Sequence, residues 1–240
     1  MNQENNGAIM KYLTPISVLL AGGLIALALY SHSNGTSAPT PSAPAQGGTV
    51  AVNIKDVNTT GEAFIGDANA PVVIAYWSDY QCPYCKQFET QTLPQIISDY
   101  VNAGKVKVVF KDFAFLGNDS TTGALYARSV WHLYPAQFFA WRTAMFKAQD
   151  QEGDTGFGNA TSIDQLDATV AGIDGAKIAA DVKANTATYQ AEIDADKAEA
   201  GKMGIQGTPA FIIGTTLLPG AYPYSNFQAL IDAQAKAVAK

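Results

Sequence analysis

Ser78-Asp79-Tyr80-Gln81-Cys82-Pro83-Tyr84-Cys85 is the segment from which the fold is predicted. It follows the apolar, β-branched run Val72–Trp77, which predicts a buried strand, and it opens a segment that predicts a helix. Cys82 is therefore expected at a helix N-terminus, where unpaired N–H groups and the helix dipole favour negative charge. In such a position the pKa of a thiol falls from about 8.5 into the range of roughly 3.5–7.5, so the reactive thiolate is abundant at neutral pH. Pro83 costs no hydrogen bond in the first turn of a helix, and Cys85 lies one turn further on, close enough to attack a mixed disulfide on Cys82.

Cys82 and Cys85 are the only cysteines among the 240 residues. A secreted domain held together by disulfides would carry more of them along its length. A zinc or iron–sulfur site needs four ligands, and the chain adds only His32 and His132 to the pair. We therefore expect no metal and no cofactor. A purely structural bridge between cysteines so close in sequence would constrain little of the chain. Because the chain has no other cysteine, any disulfide that it makes or breaks elsewhere belongs to another molecule.

The residues after the pair predict an α/β fold. A helix from Pro83 to about Asn102, kinked at Pro94, leads to a second buried strand, Val106–Phe110. Strand, helix and strand together have the size of a parallel βαβ unit. Residues from about 120 to 203 carry almost no strand signal and predict a helical insertion. The other predicted elements are a helix opened by a capping box at Ser162–Gln165, a helix at Thr188–Lys202, strands at Ala210–Ile213 and Thr215–Leu218, and a closing helix opened by a capping box at Ser225–Gln228.

The residues before the globular part predict a membrane anchor and a tether. Residues 12–30 carry no charge and are mostly apolar, and at about 1.5 Å per residue they span roughly 28 Å, close to the thickness of a bilayer's hydrocarbon core. A tract rich in proline and serine follows at residues 31–48 and predicts a flexible tether. Lys11, at the edge of the apolar run, places residues 1–11 in the cytoplasm and residues 49–240 outside it. The alternative, a cleaved signal peptide, fits less well because the usual apolar core of such a peptide has only about 7–15 residues.

The composition indicates a packed domain, since 48% of the residues are hydrophobic and 15% are charged. The net charge of -6 argues against nucleic-acid binding, because proteins that bind nucleic acids concentrate Lys and Arg on one face.

Gly207-Thr208-Pro209-Ala210 is the second motif of the chain and stands immediately before an apolar strand. Proline at the head of a strand removes a backbone donor that a central strand would use. A cis Thr208-Pro209 bond is one resolution, because it turns the chain tightly and lets the loop face the cysteine pair.

Together the two motifs resemble the DsbA-like branch of the thioredoxin superfamily, over roughly residues 60–240. The matching stretches are Ser78–Cys85 with Lys86, Phe88 and Glu89 after it, Gly204–Phe211, and Gly220–Tyr224. The resemblance implies a thioredoxin-like fold of βαβ and ββα units separated by the helical insertion. It also implies that Cys82 is the nucleophile, Cys85 the resolving thiol, and Thr208-Pro209 the loop that receives substrate peptide, with Pro83-Tyr84 completing the redox motif.

Tyr76 departs from the pattern of the family. Members often carry a buried acid six residues before the first cysteine, which is thought to carry the proton of the second cysteine, and Tyr76 occupies that position. Asp79 is nearer the motif but follows the strand, where we expect it to be exposed. His132 is expected to be a packing residue rather than a catalytic base. Five aromatic residues at near-helical spacing are expected in the core: Trp131, Phe138, Phe139, Trp141 and Phe146.

We therefore expect a protein-disulfide oxidoreductase, anchored in the cell membrane with its catalytic domain outside the cytoplasm. The expected direction is donation of the Cys82–Cys85 disulfide, because disulfides form outside the cytoplasm and a stabilised thiolate makes the disulfide a stronger oxidant. Expected partners are proteins with thiols or disulfides and a membrane redox partner that re-oxidises the pair. One alternative is a reductase or isomerase that uses the same residues. The other is a tethered peptide-binding module with an inert disulfide, which would require neither Pro83-Tyr84 nor Thr208-Pro209.

Overall fold

The structure, a computed structural model, describes residues 51–239. The predictions for residues 1–11, 12–30 and 31–48 lie outside the described residues. Between residues 51 and 239, no helix combines the length and the apolar character needed to cross a membrane.

A five-stranded mixed sheet forms the centre of the fold. Its strands are β1 (Ala63–Ile65), β2 (Val72–Ser78), β3 (Val106–Asp112), β4 (Ala210–Ile213) and β5 (Thr216–Pro219). They lie in the spatial order β1-β3-β2-β4-β5, and only β2 and β3 are parallel. The predicted βαβ unit is thus confirmed. The sequence did not predict β1, because three residues at a sheet edge are too few to show a periodic pattern.

Side chains on both faces of β2 are buried. Ile74 and Tyr76 belong to one apolar cluster, whereas Ala75 and Trp77 belong to another. Successive side chains of a strand point to opposite faces, so the two clusters lie on the two sides of the sheet. This double burial explains why Val72–Trp77 is apolar throughout instead of alternating between apolar and polar residues.

Helices surround the sheet. They are α1 (Pro83–Gln87), α2 (Leu93–Ile96), α3 (Asn118–Leu133), α4 (Phe138–Ala148), α5 (Ala160–Asp167), α6 (Gly175–Lys202) and α7 (Tyr224–Val238), with a 3-10 turn at Ile54–Asp56. The predicted helical insertion is confirmed as α3 to α6. Its aromatic residues take part in the core as expected: Phe138, Trp141 and Phe146 are buried, and Trp131 and Phe139 pack against them half-buried.

The helical segment that follows Cys82 is continuous but not uniform. A π-helical turn, Phe88–Thr92, separates α1 from α2, and a second, Ile97–Val101, follows α2. The N–H of Leu93 bonds to the carbonyl of Phe88, five residues back. Pro94 has no N–H with which to continue an α-helical ladder, and the wider turn before it accommodates this loss. The irregularity expected at Pro94 therefore takes the form of a change in helix type.

Neither predicted capping box opens its helix. α5 begins before Ser162, and the side chain of Asn159 caps it by accepting a hydrogen bond from the N–H of Ser162 at 3.0 Å. Asparagine is as good a cap as serine, so the earlier residue takes the role. α7 begins directly after Pro223, and no side chain caps it. Ser162 and Ser225 consequently lie inside the first turns of these helices.

α6 is longer than the sequence predicted. It begins at Gly175 instead of near Thr188, and the side chain of Asp174 caps it by accepting a hydrogen bond from the N–H of Lys177 at 3.2 Å. Ile178, in the second turn, is fully buried in the main core. Packing of this kind stabilises turns that intrinsic propensity alone does not predict.

Candidate active site

Cys82 occupies the N-cap position of α1, at the helix N-terminus as predicted. Its backbone is extended, and Pro83 takes a position in the first turn behind it. Cys82 is 4% exposed and Cys85 is 0% exposed, whereas Tyr84 between them is 62% exposed. The first turn therefore presents Tyr84 and an edge of Cys82 to solvent and keeps Cys85 inside the protein.

The pKa of the Cys82 thiol is lowered to about 6. The largest cause is a hydrogen bond from the thiol of Cys85, which burial opposes. The side chain of Thr208 and the backbone N–H groups of Cys85 and Tyr84 lower it further. The start of a helix leaves its first N–H groups without a carbonyl four residues back, so they can stabilise the thiolate as expected, although the N–H of Cys85 also bonds to the carbonyl of Cys82 at 3.1 Å.

Cys85 has the opposite character. Burial, followed by the effect of the neighbouring Cys82 sulfur, raises the pKa of its thiol well above the ordinary value. Both cysteines are free thiols in this structure. Cys82 therefore loses its proton much more readily than the fully buried Cys85. This asymmetry suits dithiol–disulfide exchange, in which one sulfur forms the mixed disulfide and the other resolves it.

The loop at Thr208-Pro209 lies against Cys82. The peptide bond between the two residues is cis, as predicted. The thiol of Cys82 donates a hydrogen bond to the carbonyl oxygen of Thr208 over 3.4 Å. A cavity of about 370 Å³ lies beside the loop, lined by residues 204–210 together with Leu217, Pro219 and Gly220. The structure therefore brings the two sequence motifs together, although 126 residues separate Cys82 from Thr208.

Tyr76 adjoins the buried cysteine. It is fully buried and stacks on Phe211 with ring centroids 4.7 Å apart. Burial, and after it Cys85 and Glu89, raise the pKa of its phenol well above the ordinary value, so the phenol keeps its proton. Glu89 is a buried carboxyl beside Tyr76, and it forms an ion pair with Arg142 at 2.7 Å. Its pKa is raised by burial against the opposing effect of Arg142.

The sequence assigned no role to Glu89 or Arg142. A signal for Glu89 was present, since it lies four residues after Cys85 and therefore on the same side of a helix. No local pattern marked Arg142, because it comes from the insertion and meets Glu89 only in the folded protein.

Asp79 is buried, and the expectation that it would be exposed was wrong. Its carboxylate accepts hydrogen bonds from the N–H of Gln81 at 2.8 Å, from the N–H of Phe115 at 2.9 Å and from the hydroxyl of Ser120. Asp79 thus anchors the loop that leads to Cys82 onto the start of the insertion. The insertion covers this carboxylate, which a reading of the loop alone did not predict.

His132 lies outside the candidate site. It is exposed near the end of α3, and its Nδ1 is 3.1 Å from the hydroxyl of Tyr189. Among residues 51–239, no cluster of three or more His, Cys, Asp or Glu side chains has an arrangement that could hold a metal ion.

A thioredoxin-like sheet with a Cys-x-x-Cys pair at a helix N-terminus, facing a cis-proline loop, defines a thiol–disulfide oxidoreductase. The family profile described as thioredoxin matches residues 58–233 of the chain. The chain belongs to the thioredoxin family.

Relatives in other organisms support the DsbA-like resemblance. The chain is 27% identical to disulfide bond formation protein D of Bacillus subtilis over 179 residues, which is 73% of this chain and 78% of the relative. It is similar to the crystal structure of oxidised BdbD from Bacillus subtilis, with a TM-score of 0.70 and 23% identity over 78% of this chain and 98% of that one. It is also similar to the thiol-disulfide exchange protein alpha-DsbA2 from Wolbachia pipientis, with a TM-score of 0.65 and 25% identity over 75% of this chain and 90% of that one.

Proposed function

We propose that this protein donates its Cys82–Cys85 disulfide to cysteine residues of other proteins. The observation that carries the proposal is the opposite shift of the two thiol pKa values, lowered for Cys82 and raised for Cys85. The interactions that stabilise the Cys82 thiolate exist only in the reduced protein, because a disulfide sulfur has no charge. They therefore favour the reduced form and make the disulfide an oxidant.

The proposed reaction has two steps. A thiolate of the substrate attacks the Sγ of Cys82, the Cys82–Cys85 bond breaks, and the Cys85 sulfur leaves with the electron pair and takes up a proton. A second thiolate of the substrate then attacks the substrate's own sulfur in the mixed disulfide, and Cys82 leaves as a thiolate. The substrate loses two electrons and gains a disulfide, and the protein gains two electrons as its dithiol. The low pKa of Cys82 makes it a good leaving group in the second step.

The surface around Cys82 supports an extended peptide as the substrate. Tyr84, two residues after Cys82, offers an exposed aromatic ring, and the Thr208-Pro209 loop, which contacts Cys82, lines a cavity. Pro83 and Tyr84, in the first turn, and Thr208 and Pro209, in the loop, are thus proposed to complete the site. A peptide lying across Cys82 between them would bring one cysteine at a time to the exposed sulfur edge.

We place this reaction outside the cytoplasm. The uncharged apolar residues 12–30 support a membrane anchor, and residues 31–48 support a tether that holds the domain near the membrane. The name of the Bacillus subtilis relative, disulfide bond formation protein D, supports the direction of the exchange. Each turnover leaves the pair reduced, so a membrane redox partner that removes two electrons completes the proposed cycle.

Equilibration of the purified domain with glutathione tests the direction. A donor should have a reduction potential of about −120 to −200 mV, whereas a value near −270 mV, typical of thioredoxin, would show a reductase instead. Activity as such is tested separately: the oxidised domain should restore disulfides to a reduced, unfolded substrate protein. A tethered module with an inert disulfide would not restore disulfides to the substrate. Its dithiothreitol-reduced form would also fail to speed the aggregation of insulin.

A further inference from the structure

Gln149 lies outside both sequence motifs, yet its side chain reaches the backbone of the active-site loop. It is the C-cap residue of α4, in the insertion, and is 3% exposed. Its Nε2 donates hydrogen bonds to the carbonyl oxygen of Tyr80 at 2.7 Å and to the carbonyl oxygen of Cys82 at 3.1 Å. The carbonyl of Cys82 also accepts the N–H groups of Cys85 and Lys86, each at 3.1 Å, which close the first turn of α1.

The contact runs in both directions. The Nζ of Lys86, in α1, donates a hydrogen bond to the backbone carbonyl oxygen of Gln149 at 2.5 Å. That carbonyl lies at the C-terminal end of α4, where the helix dipole favours a positive charge. The side chain of Gln149 therefore holds the active-site loop, and the side chain of Lys86 holds the backbone of Gln149.

We infer that Gln149 is a positioning residue for the nucleophile: it fixes the carbonyls of Tyr80 and Cys82 so that the N–H of Tyr84 stays available to the Cys82 sulfur. This inference rests on the proposed function, in which the Cys82 sulfur is attacked by the substrate in the first step and leaves as a thiolate in the second. Buried carbonyls need hydrogen-bond donors. If the amide of Gln149 is absent, the carbonyl of Tyr80 must find another donor, and the N–H of Tyr84, at the start of α1, is a close candidate. Each N–H that turns towards a carbonyl is lost to the thiolate.

Two substitutions at Gln149 and one matched control test the inference. Gln149→Leu removes the donor, and Gln149→Glu keeps the size but brings a carboxylate that repels the two carbonyls and the nearby thiolate. The control is Gln190→Leu, in α6, whose side-chain nitrogen bonds to Asp194 at 3.0 Å on the same helix. The readout is the titration of the Cys82 thiolate, followed by its ultraviolet absorbance in the reduced protein, beside the melting temperature of each variant.

We expect the titration midpoint of Cys82 to rise in both Gln149 variants, so that at pH 6 the thiolate fraction falls by roughly three-fold or more. The rise should be larger for Gln149→Glu, and Gln190→Leu should titrate as the unaltered protein does. A purely structural role would lower the melting temperature of Gln149→Leu, which introduces no charge, and leave its midpoint in place, and that result would overturn the inference.

The titration still tests the role of Gln149 if one variant does not fold or if the proposed direction of exchange is wrong. Gln149→Glu preserves the volume of the side chain, so an unchanged midpoint in that variant alone is enough to overturn the inference. The titration requires no substrate and no partner. A reductase-like potential in the glutathione equilibrium would therefore contradict the donor role while the measurement at Gln149 still decides the positioning role.

Discussion

Glu89 and Arg142 form a buried ion pair, with 2.7 Å between Oε1 and Nη2, that joins the helix carrying the cysteines to the helical insertion. Neither residue is more than 6% exposed. The guanidinium also donates to the hydroxyl groups of Tyr80 at 3.0 Å and Ser78 at 2.9 Å, and it lies 4.2 Å from the ring centre of Phe110. Every face of this cation is thus occupied, and the insertion is held against the sheet directly beside the active site.

Removal of the carboxylate should therefore destabilise the whole domain. Glu89→Ala leaves the Arg142 charge buried without its counter-ion, which typically costs about 3–5 kcal/mol. The free energy of unfolding in urea measures this loss. Glu152→Ala, at an exposed position, is the control and should stay within about 0.5 kcal/mol of the unaltered protein. A loss below about 1 kcal/mol for Glu89→Ala would show that water or another group compensates the guanidinium.

Cys82 should react with alkylating agents well before Cys85. The rate of iodoacetamide labelling at Cys82 should rise with pH and reach half of its maximum at about pH 6, since the thiolate is the reactive form and the pKa is lowered to about 6. Cys85 should stay unlabelled over the same short time because it is fully buried and its pKa is raised. Mass spectrometry after brief treatment identifies the modified residue. Preferential labelling of Cys85 would contradict the assignment of the nucleophile.

Cys85→Ser should trap substrates. Without the resolving thiol, a mixed disulfide between Cys82 and a substrate persists, so adducts should accumulate and should disappear on reduction. They are visible as bands of higher mass on a non-reducing gel. Cys82→Ser is the matched control and should form far fewer adducts, since its remaining sulfur is buried. Equal amounts of adduct from the two variants would count against the division of roles between the cysteines.

A second cluster of charged side chains, most of them buried, lies at the C-terminal end of β3, beside a cavity of about 610 Å³. Lys111 and Arg128 lie within 4 Å of more carboxylates than they can neutralise: Glu62, Asp112, Glu192, Asp196 and Glu199. Two cations therefore face five anions. Burial, which outweighs the opposing effect of Arg128, raises the pKa of Glu62 to about 7.

Glu62 should make the stability of the domain depend on pH. Its pKa is raised in the folded protein above the value of about 4.3 expected in the unfolded chain. Its stabilising contribution is therefore complete below about pH 4.3 and is lost as the pH rises towards 7. The free energy of unfolding, measured in urea, should fall less between pH 5 and pH 8 in Glu62→Gln than in the unaltered protein. Glu192→Gln removes an exposed carboxylate of the same cluster, and its free energy of unfolding should fall as much as that of the unaltered protein. Equal falls in all three proteins would contradict the prediction.

The proposed anchor predicts how the full-length protein fractionates. Membranes that contain it should retain it during carbonate extraction, because residues 12–30 would remain in the bilayer. Protease added from outside should release a soluble domain by cutting within residues 31–48. A soluble protein whose N-terminus begins near Leu29 would show instead that a signal peptide had been removed.

The fold class and the two motifs of the site could be predicted from the sequence alone. The apolar run Val72–Trp77 before Cys82 predicted the buried strand, the helix N-terminus and the low pKa of the Cys82 thiol, because all three depend on residues close together in the chain. The resemblance carried by Cys82, Cys85 and Thr208-Pro209 placed the chain in its family. Local patterns also predicted the helical insertion, though they misplaced the starts of α5, α6 and α7.

The groups that surround the cysteine pair depend on tertiary contacts and could not be predicted from the sequence. Asp79 is buried because the insertion covers it, and Glu89 keeps its charge partner because Arg142 arrives from α4. Gln149 reaches the carbonyl of Cys82 across 67 residues of sequence. Such contacts depend on how two separately formed parts pack, and a side chain's partner at long range leaves no trace in the residues next to it. The position of Cys82 at a helix N-terminus could therefore be predicted from the sequence, whereas the groups that hold it and Cys85 in place could not.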